Sequence, residues 1–383
     1  MQHYRVLNVQ GDSYAMGRQH GQQVQPLARQ IADAMAIRFA QLEEDELDDR
    51  FEQLMSETRQ LLEQIAPALL AMIRGQAEAL GFEYETLLRY DLVTFLRDDL
   101  LVRRTLTSEG CTTWAASGKC TADRQPILVK NRDYRPEHLP LQVLVQATPD
   151  HGYRYVYVSS AGSPGVFSAG INEAGLAIAD THVYSRDLGP GLPSFALMME
   201  ILETHDRVSS ALDYLRSVPR LGRNNLILAD DEGHLAVFES GNHRYGLFEA
   251  HGGALVNTNH FASAEMQEFS VHVEPPDSRG RTFRRYGSVA AALHEQWGLV
   301  DVPFAQRLMA SHDGPLSSLC CHPEASTHVT TISASIFLPT RRKLLFCHGL
   351  PCQGHYDEYV IAPSRPLSRE IPHTYDTPIP TPQ

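Results

Sequence analysis

Ser108-Glu109-Gly110-Cys111-Thr112-Thr113-Trp114, followed by Lys130-Asn131-Arg132-Asp133, is where the chain changes character. Upstream, apolar residues recur at helical spacing; downstream, they alternate as in strands. A glycine has no Cβ, so the peptide before the cysteine can be approached closely. A thiol is intrinsically a strong nucleophile. The pairing suggests a definite event: the Cys111 thiol attacks the Gly110 carbonyl, the acyl group shifts from nitrogen to sulfur, and water releases the thioester. Scission between Gly110 and Cys111 would leave residue 111 with a free α-amine beside its thiol. Their reference pKa values, about 7.7–8.0 and about 8.5, let the amine act as base for its own sulfur near neutrality. A Gly-Cys step alone equally suits a turn that buries a small apolar residue, so the surrounding residues carry the reading.

The formal charge of −13, with no basic run to offset it, argues against a nucleic-acid or anionic-membrane partner. At 383 residues, 43% of them hydrophobic, the chain can bury one large core or two moderate ones. The start, Met1-Gln2-His3-Tyr4-Arg5-Val6, lacks the pattern of a secretory signal, and no apolar run approaches the roughly 20 residues needed to span a bilayer. A cytoplasmic protein is expected. Cys111, Cys120, Cys320, Cys321, Cys347 and Cys352 form no disulfide framework. Cys320-Cys321-His322, Cys347-His348 and Cys352 invite a zinc reading. Adjacent cysteines in a strand point to opposite faces, however, and Cys347 and Cys352 sit at the edge of the usual ligand spacing. Buried free thiols account for the cluster better than a metal does.

In chain order, residues 4–9 read as a strand and Asp12 or Ser13 as the cap of a helix. Gly17 and Gly21 on that helix share a face for tight packing. From 23 to 102 the pattern is helical, one stripe running through Ile31, Met35, Ile37 and Phe39 and another through Leu61, Leu62, Ile65, Leu69, Leu70 and Ile73. Gly75 and Gly81 interrupt the second stripe, and a third helix follows to Leu96. Strands are expected at 127–130, 141–145 and 153–158, with a hairpin over 166–179 turning at Asn172-Glu173-Ala174-Gly175. A helix over 193–218 precedes strands near 225–229, 234–239, 245–249 and 255–258. Helices at 284–293 and 304–311 and a hairpin over 330–348 follow, and a proline-rich, poorly ordered tail starts near Pro363. Strand runs flanked by helices imply layered α+β packing with antiparallel sheets.

Taken together, these residues resemble the isopenicillin N acyltransferase (acyl-CoA:6-aminopenicillanic acid acyltransferase) family, related to choloylglycine hydrolases and penicillin V acylases. The resemblance rests on Gly11, Tyr14 and Gly17-Arg18-Gln19-His20-Gly21; on Ile73-Arg74-Gly75 and Gly81; on Gly110-Cys111-Thr112-Thr113; and on Asn131 and Asp133. It continues through Gly170-Ile171-Asn172-Glu173-Ala174-Gly175-Leu176, Thr258-Asn259-His260-Phe261, Gly349 and Pro351-Cys352. It implies an α+β, four-layer αββα sandwich of N-terminal-nucleophile type with an N-terminal helical segment. It also implies autocatalytic maturation into a 1–110 pro-segment or α subunit and a 111–383 catalytic β subunit, the fragments remaining partners. By resemblance Cys111 is the nucleophile, Asp133 holds the freed amine, and Asn259 with a backbone N–H near His182 stabilises the tetrahedral oxyanion. No cofactor is implied, acyl-CoA entering only as a substrate.

Other residues bear less weight. Lys130 stands where choloylglycine hydrolases carry arginine, and a lysine does not make the same bidentate fork. His182 and His260 titrate in the right range but read as packing or substrate-wall residues. Asn131 is a low-weight substrate candidate, and Asn257 is the competitor of Asn259. Arg279, Arg281, Arg284 and Arg285 are basic candidates for an anionic substrate group but read rather as solvated surface. The expected activity is amide hydrolysis or acyl transfer through a thioester enzyme, on a small N-acyl substrate or acyl-CoA with an amine. The alternatives are a non-catalytic, metal-bound interaction protein on the same scaffold, and an uncleaved cysteine–histidine hydrolase.

Overall fold

The computed structural model describes residues 4–44, 49–100, 110–163, 165–271, 281–312, 318–323 and 329–362. Ser108, Glu109, Arg279 and the tail from Pro363 lie outside them. After strand β1 (Arg5–Gly11), five helices follow: α1 (Ser13–Val24), α2 (Ala28–Glu44), α3 (Asp49–Ile65), α4 (Pro67–Leu80) and α5 (Tyr84–Leu100). Asp12 caps α1, its carboxylate accepting from the Ala15 N–H at 2.7 Å. The stripe from Leu61 to Ile73 is split at Ala66 between α3 and α4, where Pro67 starts a new helix. Gly75 lies inside α4 rather than breaking it, because it fits against the Tyr14 backbone of α1. Gly81 ends α4 in the left-handed conformation, at φ 73°.

The β-rich part begins at β2 (Thr112–Ala116), β3 (Ile127–Tyr134), β4 (Gln142–Pro149) and β5 (Tyr155–Ser160). It continues through β6 (Ala169–Asn172), β7 (Ala177–His182), α6 (Ser194–Thr204), α7 (Val208–Ser217), β8 (Asn224–Ala229) and β9 (His234–Ser240). Then come β10 (Tyr245–His251), β11 (Ala254–Asn257), α8 (Ala264–Gln267), α9 (Arg281–Glu295) and α10 (Val302–Met309). Last are β12 (Thr330–Leu338), β13 (Lys343–His348) and β14 (Tyr356–Val360). The single helix expected over 193–218 is two, since His205 and Arg207 are extended. Strand β14, absent from the sequence reading, pairs with β13 through Tyr356 to Val360.

Two sheets form, an eight-stranded one ordered β1-β4-β5-β6-β7-β8-β9-β10 and a six-stranded one ordered β11-β2-β3-β12-β13-β14. Their pairings are antiparallel except at one edge, where β1 runs parallel to β4 from Arg5↔Val143 to Gly11↔Pro149. The expectation of wholly antiparallel sheets is corrected there: β1 precedes the helical segment, and only a long crossover can bring a strand in parallel.

Three apolar layers make the stack an αββα sandwich. Ala115, Leu128, Val156, Val158, Ile227 and Phe337 meet between the sheets. Helices α1–α7 cover the outer face of the large sheet, with Ile73, Leu88, Phe195, Met198 and Leu212 against Tyr155, Tyr157 and Ile178. Helices α9 and α10 cover the small sheet, with Val289, Leu293 and Met309 against Trp114, Val129 and Ile336. Strand periodicity then places the chemistry. In β2, Trp114 and Ala116 face the helices and Ala115 the sheet interface, so Cys111 at its start faces the interface side.

Candidate active site

Strand β2 runs antiparallel to both β3 and β11, so its beginning lies beside their ends. That arrangement brings Cys111 next to Asp133 at the end of β3 and near Asn259, two residues past the end of β11. Helix α9 closes the group. Arg285, only 2% exposed, donates from Nη1 to the Gly110 carbonyl (3.1 Å), the Cys111 carbonyl (2.6 Å) and Thr112 Oγ1 (2.8 Å). Its Nη2 donates to Asn259 Oδ1 at 2.8 Å. One guanidinium therefore spans the expected scissile peptide and the expected oxyanion residue.

The Asn259 carboxamide is oriented from both ends. Arginine only donates, so oxygen faces Arg285; the Nδ2 on the other side donates to the His182 carbonyl at 2.9 Å. Its competitor Asn257 is committed elsewhere, its Oδ1 accepting from Asn225 Nδ2 (2.7 Å) and Thr181 Oγ1 (3.2 Å).

Asp133 is buried, and its Oδ1 accepts from the Thr331 hydroxyl at 2.5 Å. Its Oδ2 has no hydrogen-bond partner among the described residues. That oxygen lies 3.3 Å from where a Cβ on Gly110 would sit, so glycine is what allows this approach. Burial raises the Asp133 pKa to about 6, although Arg285 and the Thr331 hydrogen bond both favour the carboxylate.

Cys111 is half-buried, and its Sγ lies 3.8 Å from the Asp133 carbonyl. Burial pushes its thiol up, opposed by the Lys130 ammonium. No histidine among the described residues lies within hydrogen-bonding reach of Sγ. Lys130 is itself buried, and its Nζ donates to Asp180 Oδ1 (2.7 Å), the Asp180 carbonyl (2.7 Å) and the Ser168 carbonyl (3.1 Å). Those three bonds use all its hydrogens, so it ties the sheets together rather than presenting a free cation to substrate.

Cys111, Lys130, Asp133, Asp180 and His182 line one cleft, together with Tyr90, Phe167 and Arg223. Arg223 Nη2 lies 2.9 Å from His182 Nε2, and since arginine can only donate, that ring nitrogen accepts. Asn131 and His260 are not in the cleft. Asn131 alternates to the other face of β3, where its Nδ2 donates to the Met309 and Leu319 carbonyls (2.9 and 2.8 Å). His260 packs on Phe283 and Tyr286 and bonds through Nδ1 with Thr258 and Thr282. A roomier cleft, about 220 Å³, is lined by His260, Glu239, Tyr286 and Trp297. Neither a cysteine nor a serine lines it, and Cys111 is not among its residues.

The reading of Arg281 and Arg285 as solvated surface is corrected: both are buried. On α9 they share a face with Val289 and Leu293, also buried. The signal was present in the spacing of 281, 285, 289 and 293, where two arginines continue an apolar stripe. Thr331 was missed too, for its role appears only when β12 pairs with β3 across a register shift between Thr331 and Ser333.

No curated protein sequence matches the chain. Among solved structures, a mutant conjugated bile acid hydrolase from Clostridium perfringens is similar at 13% identity, covering 66% of this chain and 98% of that one, with a TM-score of 0.45. An N-acylethanolamine-hydrolyzing acid amidase ortholog from Caenorhabditis elegans is similar at 14% identity over 66% of this chain and 100% of that one, TM-score 0.42. For a penicillin V acylase from Agrobacterium tumefaciens the values are 15%, 62%, 83% and 0.38. The family model described as acyl-coenzyme A:6-aminopenicillanic acid acyl-transferase matches residues 120–353, a span holding Asp133, His182, Asn259 and Arg285. The chain belongs to that acyl-transferase family.

Proposed function

We propose that the protein is a self-cleaving cysteine amidohydrolase or acyltransferase of the N-terminal-nucleophile type, working through a thioester acyl-enzyme. The observation that carries the reading is the buried Asp133 Oδ2, without a hydrogen-bond partner among the described residues, beside the Gly110–Cys111 junction. A buried carboxylate oxygen without a donor is costly, and an α-ammonium on Cys111 would supply the missing donor and charge. In maturation, Cys111 Sγ adds to the Gly110 carbonyl carbon, and the developing oxyanion is held by Arg285 Nη1. The C–N bond breaks, leaving a thioester to Gly110 and an amine on residue 111, and water then hydrolyses the thioester.

In the mature enzyme that amine takes the thiol proton, and sulfur attacks the acyl carbonyl of a substrate. Asn259 Nδ2 gives one hydrogen to His182 and keeps the other for the substrate oxyanion. Donors of this kind are typically worth about 10²–10³ in rate. Loss of the amine, or of the CoA thiol, leaves an S-acyl enzyme, which water or an acceptor amine discharges. The substrates are small N-acyl compounds with linear amide bonds, or acyl-CoA with an amine. Residues 1–110 and 111–383 are the two chains of the mature enzyme, and a reducing compartment such as the cytoplasm keeps the thiol active.

Intact mass and N-terminal sequencing of the purified protein test this. Two fragments are expected, one beginning at Cys111, with Cys111→Ala remaining whole. An intact chain whose activity is abolished by thiol alkylation would instead favour an uncleaved cysteine hydrolase. An intact chain indifferent to alkylation would favour a non-catalytic scaffold.

A further inference from the structure

A second group of reactive side chains converges on the far side of the small sheet. His312 follows α10, Cys320 and His322 lie on the segment before β12, and Cys352 sits in the turn between β13 and β14. One ring nitrogen or sulfur from each lies within 4.8 Å of all the others. Cys320 Sγ is 3.5 Å from Cys352 Sγ, His312 Nε2 is 3.0 Å from His322 Nε2, and His322 Nε2 is 3.2 Å from Cys352 Sγ. We propose that His312, Cys320, His322 and Cys352 bind one zinc ion in a closed, structural Cys2His2 site.

The donor set argues for zinc. Two thiolates and two imidazoles suit zinc far better than magnesium or calcium, which take oxygen ligands. Bonds of about 2.3 Å to sulfur and about 2.0 Å to nitrogen make a tetrahedron with edges of about 3.3–3.8 Å, close to the three contacts of 3.0, 3.2 and 3.5 Å, the remaining pairs lying within 4.8 Å. The sulfurs are far beyond the ~2.05 Å of a disulfide. His322 Nε2 faces a nitrogen and a sulfur at once, and a neutral ring nitrogen carries a single proton or a single lone pair, so hydrogen bonds alone do not serve both well. A cation between the four does. Cys320 is buried while His312 and Cys352 are exposed, which leaves an entry path. The proposal departs from the expectation that the chain holds no metal: here His312, from the end of a different element, and not Cys347, completes the set.

The location gives the ion a task. The residues flanking Cys320 hold the end of β3: the Leu319 carbonyl accepts from Asn131, and the Cys321 N–H donates to Thr331 Oγ1 at 2.8 Å. That same hydroxyl donates to Asp133 Oδ1. The Cys321 carbonyl accepts from the Thr331 N–H (2.8 Å) and the Thr330 hydroxyl (2.9 Å), and Cys321 Sγ lies 2.9 Å from Arg281 Nη2. Zinc at Cys320 therefore fastens the segment from which Thr331 orients Asp133. The site shares no residue with the Cys111 cleft, so it stands or falls apart from the catalytic reading.

Metal analysis of the full chain, purified with added zinc sulfate and dialysed, tests the site. About one zinc per chain is expected for the parent and for Cys111→Ala, and less than about a tenth of that for Cys320→Ser combined with Cys352→Ser. Loading the parent with cobalt(II) should give the intense visible bands of a tetrahedral ion and a sulfur-to-cobalt charge-transfer band. Should the double variant fail to fold, the exposed-residue variant His312→Gln is expected to lose zinc at least about tenfold more readily to a competing chelator. A parent chain that holds no zinc, a double variant or His312→Gln that holds it as well as the parent, or a chain isolated two hydrogens lighter through a Cys320–Cys352 disulfide would overturn the proposal.

Discussion

At the scale of single residues, Asp133 carries opposite consequences before and after a chain break. In the unbroken chain burial raises its pKa to about 6, above the usual ~3.9 of the unfolded chain. Its contribution to stability is then fully present below about pH 3.9 and is lost as pH rises through about 6. In a Cys111→Ala background, Asp133→Asn should therefore become more stabilising between pH 4 and pH 7, by an increment on the order of 2 kcal/mol. Paired thermal melts across that range check it, and a pH-independent difference would remove the carboxylate from the argument. If the chain is cut as proposed, the new ammonium would face Oδ2 and reverse the sign, so the same substitution should abolish most turnover at pH 7. Cys111 was singled out by its Gly-Cys step where the pattern changes from helical to strand-like, and Asp133 and Asn259 by family resemblance alone. The burial of Arg285 was legible in its spacing with Val289 and Leu293, but its place among the Gly110, Cys111 and Asn259 oxygens exists only once α9 lies over β2. A charged residue in a basic run is by default solvated.

Among the elements, the closest approach is between α1 and α4. A Cβ on Gly17 would fall onto the Met72 carbonyl, and one on Gly21 would press on Ala79 and Gln76. Gly17→Ala gains about 1 kcal/mol in helix propensity. It must then separate two backbones in a packed layer, and overpacking typically costs about 1–3 kcal/mol. With backbone rather than a flexible side chain as the obstacle, the substitution should be a net loss of about 2 kcal/mol, read as a lower denaturant midpoint at unchanged slope. An unchanged midpoint would mean that the helices do not touch there. Elements set by local pattern were legible, as in the hairpin of β6 and β7 and the amphipathic α9. What failed was set by pairing or by one local break. The parallel placement of β1 depends on a partner more than a hundred residues away, β14 is an edge strand with mixed exposure, and a three-residue link, extended at His205 and Arg207, divides α6 from α7.

For the whole molecule, the position of the proposed cut determines what it would do. The described residues before Gly110 are built into the large sheet and its helical cover. Strand β1 hydrogen-bonds along β4, and Leu7, Met16, Val24, Ile73, Leu88 and Val93 share a core with Tyr155, Ile178, Phe195 and Met198. Among the described residues no helix is long and apolar enough to cross a membrane. Breaking one peptide bond leaves those contacts in place and removes only the covalent link, whose main effect is on the entropy of the unfolded state. The two fragments should therefore run separately on a denaturing gel yet co-elute as a one-to-one pair in native buffer, parting only when urea reaches the unfolding transition. Native mass spectrometry of the processed protein reads this directly. Fragments that separate at neutral pH without denaturant would mean that scission dismantles the sandwich, and a break that dismantles the sandwich cannot be the step that activates Cys111.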